Sequence, residues 1–330
     1  MIDAPSVTFP DVEAAAGRIA GLAVRTPLLE SPQLNARVGG RVLIKPECLQ
    51  RTGSFKFRGA WNRISQIDPA AATGGVVAYS SGNHAQGVAA AAALRGLRAL
   101  IVMPADTPAI KQANTRFFGA EIVTYDRASQ SREEIAGKIA RERGAIIVPP
   151  FDDPHVIAGQ GTTGLELAED ADRLGARLDA VLVPCSGGGL VAGVATAVKA
   201  KMPQADIHSV EPAGFDDLAR SLLAGRRLAN DRAAGSICDA LLSPMPGEIT
   251  FAINRRLLGP GLAVSDSEAG AAMAYAFDTL KLVAEPGGAV ALAALLAGRI
   301  ETRGRSIAIV ISGGNVDRQL YARILTDPSS

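Results

Sequence analysis

The chain has 330 residues, 34 basic and 33 acidic for a net charge of +1, and is 48% hydrophobic but only 4% aromatic. That balance excludes the electrostatic footprint of a nucleic-acid or anionic-membrane binder, and the length suffices for one large or two moderate domains around an aliphatic core. Cys48, Cys185 and Cys238 are odd in number and far apart, with no C-x-x-C pair, which argues against a disulfide framework or a zinc site and fits a reducing cytoplasm. The first residues lack a basic region followed by an apolar one, and runs such as 288–297 are too short to span a bilayer. The expectation is a cytoplasmic protein with no export signal or membrane anchor, acting on a small molecule.

In chain order, residues 11–19 have helical spacing, 24–28 are an extended entry and 42–45 a short strand. Thr52-Gly53-Ser54-Phe55-Lys56-Phe57-Arg58-Gly59-Ala60 follows directly, and 58–67 again has helical spacing. A lysine between two aromatics behind a Gly-Ser turn can be desolvated, and the neutral amine that burial favours is the form that attacks a carbonyl.

Residues 75–79 read as a strand that stops at Ser80-Ser81-Gly82-Asn83 and hands over to an alanine-rich helix over 85–94. This loop would bring hydroxyl, amide and free backbone N–H groups to a helix N-terminus, a suitable carboxylate site, although Ser81 and Asn83 would serve equally as helix caps. Alternation continues with strand 99–103, helix 108–118, strand 121–124, helix 132–143 and strand 145–148. Residues 151–154 then return to the main body, and Gly159 to Gly164 is expected to open the next helix.

A second series runs from strand 180–183 through Ser186-Gly187-Gly188-Gly189-Leu190 into helix 191–199 and strand 207–210. Gly187, Gly189 and Ala192 also satisfy the G-x-G-x-x-A dinucleotide fingerprint, with Glu211 at about the spacing of its ribose acid. The loop chemistry alone does not separate a dinucleotide from another phosphorylated cofactor. Strand 262–264, helix 267–280, an apolar helix 289–296 and strand 307–311 ending at Ser312-Gly313-Gly314-Asn315 complete the pattern. Short strands alternating with helices indicate an α/β fold of open, mainly parallel twisted sheets with flanking helices. The division expected is 1–73 with 151–330 as a large domain and 74–150 as a small one.

Four segments in this order, Ser54 to Ala60, Ser80 to Gly87, Ser186 to Leu190 and Ser312 to Asn315, together with Lys45 to Gln50, resemble the pyridoxal-phosphate enzymes of the serine/threonine dehydratase and serine racemase family. The resemblance implies the tryptophan-synthase-β-like fold type II, with pyridoxal 5'-phosphate as cofactor. It implies that Lys56 forms the cofactor Schiff base and moves the α proton, flanked by Phe55. Asn83 would bind the ring oxygen, Ser186, Gly187, Gly188, Gly189 and Leu190 the phosphate, and Ser312 the ring nitrogen. Ser186 stands where many relatives carry a further glycine.

Ser80, Ser81, Asn83 and His84 would hold the substrate carboxylate, and Ser81 matches the racemase serine that acts on the face opposite the lysine. Arg132 matches a racemase arginine near the substrate that could pair with a second carboxylate, as in 3-hydroxyaspartate; a solvated arginine at a helix start is the ordinary alternative. Glu211, Phe215 and Asp217 resemble the Mg or Ca site of these enzymes, though the same residues also read as a solvated acidic turn. The expected activity is threonine or serine dehydration by β-elimination in a homodimer, with 3-hydroxyaspartate dehydration or serine racemisation next, and nicotinamide-dependent oxidoreduction as the alternative of another class.

Overall fold

The protein is described from a computed structural model over residues 7–80, 82–107, 109–126 and 129–327. The first helix, α1 (Phe9–Ile19), precedes strand β1 (Leu29–Glu30), helix α2 (Pro32–Val38) and strand β2 (Arg41–Pro46), after which α3 (Lys56–Ile64) begins at the lysine itself. The next series is β3 (Val76–Tyr79), α4 (Asn83–Arg95), β4 (Ala99–Pro104), α5 (Ala109–Phe117), β5 (Glu121–Tyr125), α6 (Arg132–Arg143) and β6 (Ile146–Ile147). Then come α7 (Pro154–Arg173), β7 (Ala180–Pro184), α8 (Gly189–Lys201), β8 (Asp206–Pro212), α9 (Asp217–Ala224) and α10 (Glu248–Leu257). The chain closes with β9 (Leu262–Val264), α11 (Asp266–Tyr275), α12 (Pro286–Leu296), β10 (Ser306–Ile311) and α13 (Arg318–Thr326).

These strands form two sheets. One has six strands in the order β1-β2-β10-β7-β8-β9, parallel except for the short edge strand β1; the other has four in the order β5-β4-β3-β6, all parallel. Strands such as β7, β10 and β4 are apolar and buried almost throughout because helices cover both faces. Helix α12 is apolar around its circumference and lies inside the larger core with β10, β7 and α11.

Contrary to expectation, Gly159 to Gly164 does not open a helix; it lies in the interior of α7, which starts at Pro154 with Asp153 as its cap. The glycines are there for packing: a methyl group on Gly159 would press on the backbone of Arg58 and Gly59, one on Gly161 on Gly193, and one on Gly164 on Val194. Missing Cβ atoms let α7 approach both α3 and α8 closely, which outweighs the helix propensity lost at each glycine. Residues 276–280, read as the end of one long helix, widen into π turns that stop at Lys281 in the left-handed region.

Candidate active site

The ends of β2, β3, β7 and β10 deliver the four motifs to a single cavity, as expected for parallel α/β sheets, where ligands lie beyond the carboxyl ends of the strands. The segment after β2 is fixed against the segment after β10. The Phe55 N–H donates to the Ser312 carbonyl at 3.1 Å, the Gly314 N–H to that of Gly53 at 2.9 Å, and Asn315 Nδ2 to that of Thr52 at 2.8 Å. Gly53 takes a φ of +72° with Asn315 packed against it, leaving no room for a side chain. Lys56 therefore enters the cavity from a braced turn. Its Nζ donates to the Pro150 carbonyl at 2.7 Å and lies 5.1 Å from the centre of the Phe55 ring. Burial pulls the Lys56 ammonium down to about 8, against an opposing pull from Glu285, so the reactive neutral amine is accessible near neutral pH.

Across the cavity stands the start of α4. Gly82 precedes it and offers no capping side chain, which leaves the first-turn amides to a ligand. Ser80 and Asn83 both line the cavity. Asn83 is held on two sides: its Nδ2 donates to Glu285 Oε1 at 2.5 Å and its Oδ1 accepts from Asn315 Nδ2 at 2.8 Å. His84 Nε2 donates to the Val148 carbonyl at 2.9 Å, while the buried Nδ1 has no partner among the described residues. Burial, aided by Lys56, pushes the imidazole down to about 3, so it stays neutral. Ser81 lies outside the described residues.

The third wall is the glycine loop. Gly188 has a φ of +92° and caps α8, and methyl groups on Gly187 or Gly189 would run into Phe151. Thr250 Oγ1 donates to the Gly187 carbonyl at 2.7 Å and Asn254 Nδ2 to the Gly188 carbonyl at 3.2 Å. Both come from α10, so those peptide planes turn their opposite edges, with the N–H groups, away from α10. A phosphate at a helix N-terminus needs this arrangement. Ser186 does more than substitute for a glycine: its Oγ donates to Ser243 Oγ at 2.8 Å and accepts from the Ser243 N–H at 3.1 Å. Leu190 and Ser312 complete the expected lining.

Behind the cavity, Arg58 is fully buried in a network that holds α3 to β2 and α7. Its guanidinium forks Glu47 at 2.7 and 2.9 Å and Glu166 at 2.7 and 2.8 Å, and Lys45 Nζ reaches Glu166 at 2.7 Å. Paired this way, every charge has a partner of opposite sign.

Arg132 reaches the same cavity, its guanidinium 5.5 Å from the centre of the Tyr79 ring and its Nε 2.8 Å from Glu133 Oε1. The Glu211 group lies elsewhere. Glu211 is buried and accepts from the Leu218 N–H at 3.0 Å and the Ala219 N–H at 2.8 Å. Asp217 Oδ1 accepts from Asn230 Nδ2 at 2.7 Å, whereas Oδ2 has no partner among the described residues. Burial raises both carboxyls, Asp217 to about 7, and the charge of Asp217 raises Glu211 further. Asp217 thus keeps one unsatisfied oxygen near a second buried acid, but no group of three His, Cys, Asp or Glu side chains among the described residues is placed to hold a metal. Glu211 does not line the cavity, so it is not available as the ribose acid of a dinucleotide site.

Fold and cavity together define an enzyme of the phosphorylated-aldehyde type, with an amine, a phosphate cradle and a carboxylate cradle on one wall each. The chain belongs to the pyridoxal-phosphate dependent enzymes, whose family model matches residues 19–313, and pyridoxal phosphate is its cofactor. It is 44% identical over 96% of its length to an L-threo-3-hydroxyaspartate ammonia-lyase of a Pseudomonas species, spanning 98% of that protein. Among solved structures it is similar to a threonine deaminase of T.th., with TM-score 0.88 and 45% identity over 94% of this chain and 99% of that one. Maize serine racemase has TM-score 0.91 and 37% identity over 98% of both. Among the described residues, no helix is long and apolar enough to cross a membrane.

Sequence reading missed the residues that contribute through position. Pro150, Phe151, Lys111, Asp239, Ser243 and Gln160 line the cavity from loops or helices without a recognisable motif. Glu285 stands in Glu-Pro-Gly-Gly at the start of the apolar α12, where its side chain makes no capping hydrogen bond and instead braces Asn83.

Proposed function

We propose that this chain is a pyridoxal-phosphate ammonia-lyase that removes the β-hydroxide of a 3-hydroxy amino acid and yields a 2-oxo acid and ammonia. The observation that carries the reading is Lys56: an amine of lowered pKa, held at the Pro150 carbonyl between a helix N-terminus suited to a carboxylate and a glycine loop suited to a phosphate. When bound, pyridoxal phosphate supplies a carbonyl for amines and a conjugated ring that takes up the electrons of the broken Cα–H bond.

The chain's own residues then have separate tasks. Lys56 Nζ would anchor the cofactor through its carbonyl and would serve as the base for the α proton. The α4 amides with Ser80 and Asn83 hold the carboxylate and so orient the Cα–H bond toward Lys56. His84, its ring committed to Val148, contributes its main-chain N–H. Gly187, Gly188 and Gly189, with Ser186 and Leu190, hold the phosphate, and Phe55 flanks Lys56. Ser312, in the cavity lining, would offer the ring nitrogen a hydroxyl in place of a carboxylate, a partner that does not enforce a protonated ring. Ser81, assigned by sequence match, is the residue through which racemisation would accompany elimination.

The preferred substrate in this reading is 3-hydroxyaspartate, supported by Arg132 in the cavity wall and by the likeness to an L-threo-3-hydroxyaspartate ammonia-lyase. Threonine and serine form the second reading, favoured by the engagement of Arg132 with Glu133 and by the threonine deaminase likeness. Glu211, Phe215 and Asp217 are taken as a Mg or Ca site of structural value, residues 74–150 as a small domain, and the working form as a cytoplasmic homodimer.

The test is Lys56→Ala. It should abolish ammonia release and the visible absorbance of bound cofactor, and retained turnover would sink the assignment.

A further inference from the structure

We infer that Lys111 is a substrate-specificity residue, the cation that receives the distal carboxylate of a dicarboxylic 3-hydroxy amino acid in exchange for Asp239. The inference rests on the ammonia-lyase reading and deepens it.

Lys111 stands on α5, beside the four-stranded sheet, and Asp239 on the turn 239–241 beside the six-stranded one. Both line the cavity that contains Lys56, and they pair across it. The two partners differ in what they lose on separation. The Lys111 side chain is only 11% exposed, so without a counter-charge its ammonium would be left largely out of water. The Asp239 side chain is 51% exposed on a short turn, so rotation into solvent costs it little. A buried cation facing an easily displaced acid is an exchange site for another carboxylate.

The cavity's charges identify the ligand. Among the described residues its cations are Lys56, Lys111 and Arg132, and its acids Asp239 and Glu285. Burial, assisted by the charge of Asp239, pushes the Glu285 carboxyl up to about 7. Lys56 is assigned to the cofactor and the α-carboxylate to the start of α4, which leaves Lys111 and Arg132 as the unassigned cations of the lining. A substrate ending in a methyl or hydrogen has nothing to offer Lys111 and leaves Asp239 in place. One ending in a carboxylate replaces Asp239, satisfies Lys111 and adds Arg132, whose planar fork suits the same group.

The test compares Lys111→Met and Asp239→Asn with wild type on L-threo-3-hydroxyaspartate and L-serine, using holoenzyme. Lys111→Met is expected to lower kcat/KM for hydroxyaspartate about 10- to 100-fold, the range of a charge-assisted hydrogen bond, and for serine less than about 3-fold. Asp239→Asn, which removes the competitor, should lower KM for hydroxyaspartate only. L-aspartate, which has no β leaving group, gives a readout independent of elimination: titrated by the visible absorbance of the cofactor, it should bind more tightly than L-alanine to wild type, and Lys111→Met should erase the difference. Equal losses on both substrates, or an undiminished preference for L-aspartate, would overturn the assignment. A wild type that eliminates from serine but not hydroxyaspartate would overturn the subsite and leave the ammonia-lyase reading standing. No elimination from any 3-hydroxy amino acid would overturn that reading itself.

Discussion

Glu285 and Asn83, 202 residues apart, share a 2.5 Å hydrogen bond beneath the cavity. Asn315 supplies the second restraint on the same amide at 2.8 Å. One Nδ2 hydrogen of Asn83 and its Oδ1 are thereby committed, and the second Nδ2 hydrogen is left for a ligand. Glu285→Ala removes an acceptor from a buried amide, a loss of about 1–3 kcal/mol, and is expected to weaken cofactor binding about 10-fold or more; Glu285→Gln keeps an acceptor oxygen and should retain most of the affinity. Equilibrium titration of apoprotein with pyridoxal phosphate, followed by absorbance, distinguishes the two.

The same carboxyl makes stability depend on pH. Burial first, and Asp239 second, raise it from 4.5 to about 7. Between those values the folded chain holds a proton that the unfolded chain has released, so this contribution is full at low pH and is lost as pH rises through about 7. Urea unfolding of apoprotein at pH 5 and pH 8 should show wild type losing more stability over the interval than Glu285→Gln, by on the order of 3 kcal/mol at most. An identical loss in both proteins would assign the pH dependence to other groups, such as Glu211 and Asp217.

Lys56 gives a kinetic counterpart. With its ammonium near 8, capture of pyridoxal phosphate by apoprotein should accelerate as pH rises, with a midpoint about 8, and then level off. Because the charge of Glu285 supports the ammonium, Glu285→Gln should move the midpoint down. A midpoint near that of an ordinary lysine, about 10.4, would contradict the desolvated environment. Stopped-flow absorbance across the range measures it.

The buried network behind α3 predicts a purely structural lesion. Arg58→Met leaves Glu47 and Glu166 without the guanidinium that satisfies both, and is expected to cost about 3–5 kcal/mol in denaturant unfolding. Replacing Arg58 by Lys should restore only part, since one ammonium cannot fork two carboxylates.

Most of the fold was legible in the sequence because parallel strands buried on both faces leave continuous apolar runs. Helix α6 falls on the predicted residues 132–143, and strands β4, β7, β8 and β10 lie within one or two residues of expectation. The helices α2, α9, α10 and α13 were not read, since their short or mixed patterns resemble polar connections. Gly159 to Gly164 misled because glycine signals a turn locally, while here it serves contact between helices far apart in sequence. In the site, the residues carried by motifs were readable: Lys56, Asn83, the glycine loop and Ser312 meet at one cavity. What supports them was not, because the Pro150 carbonyl and the carboxylates of Glu285 and Asp239 act through position, which no local pattern encodes.

The decisive experiment is a parallel assay of the pyridoxal-phosphate-loaded protein with L-threonine, L-serine and both diastereomers of 3-hydroxyaspartate, following ammonia, 2-oxo acid and the chirality of the recovered amino acid. An ammonia-lyase built on Lys56 gives equal amounts of ammonia and 2-oxo acid, fastest from a hydroxyaspartate, and none from Lys56→Ala. Recovery of racemised amino acid without ammonia, or release of ammonia by Lys56→Ala, would contradict it.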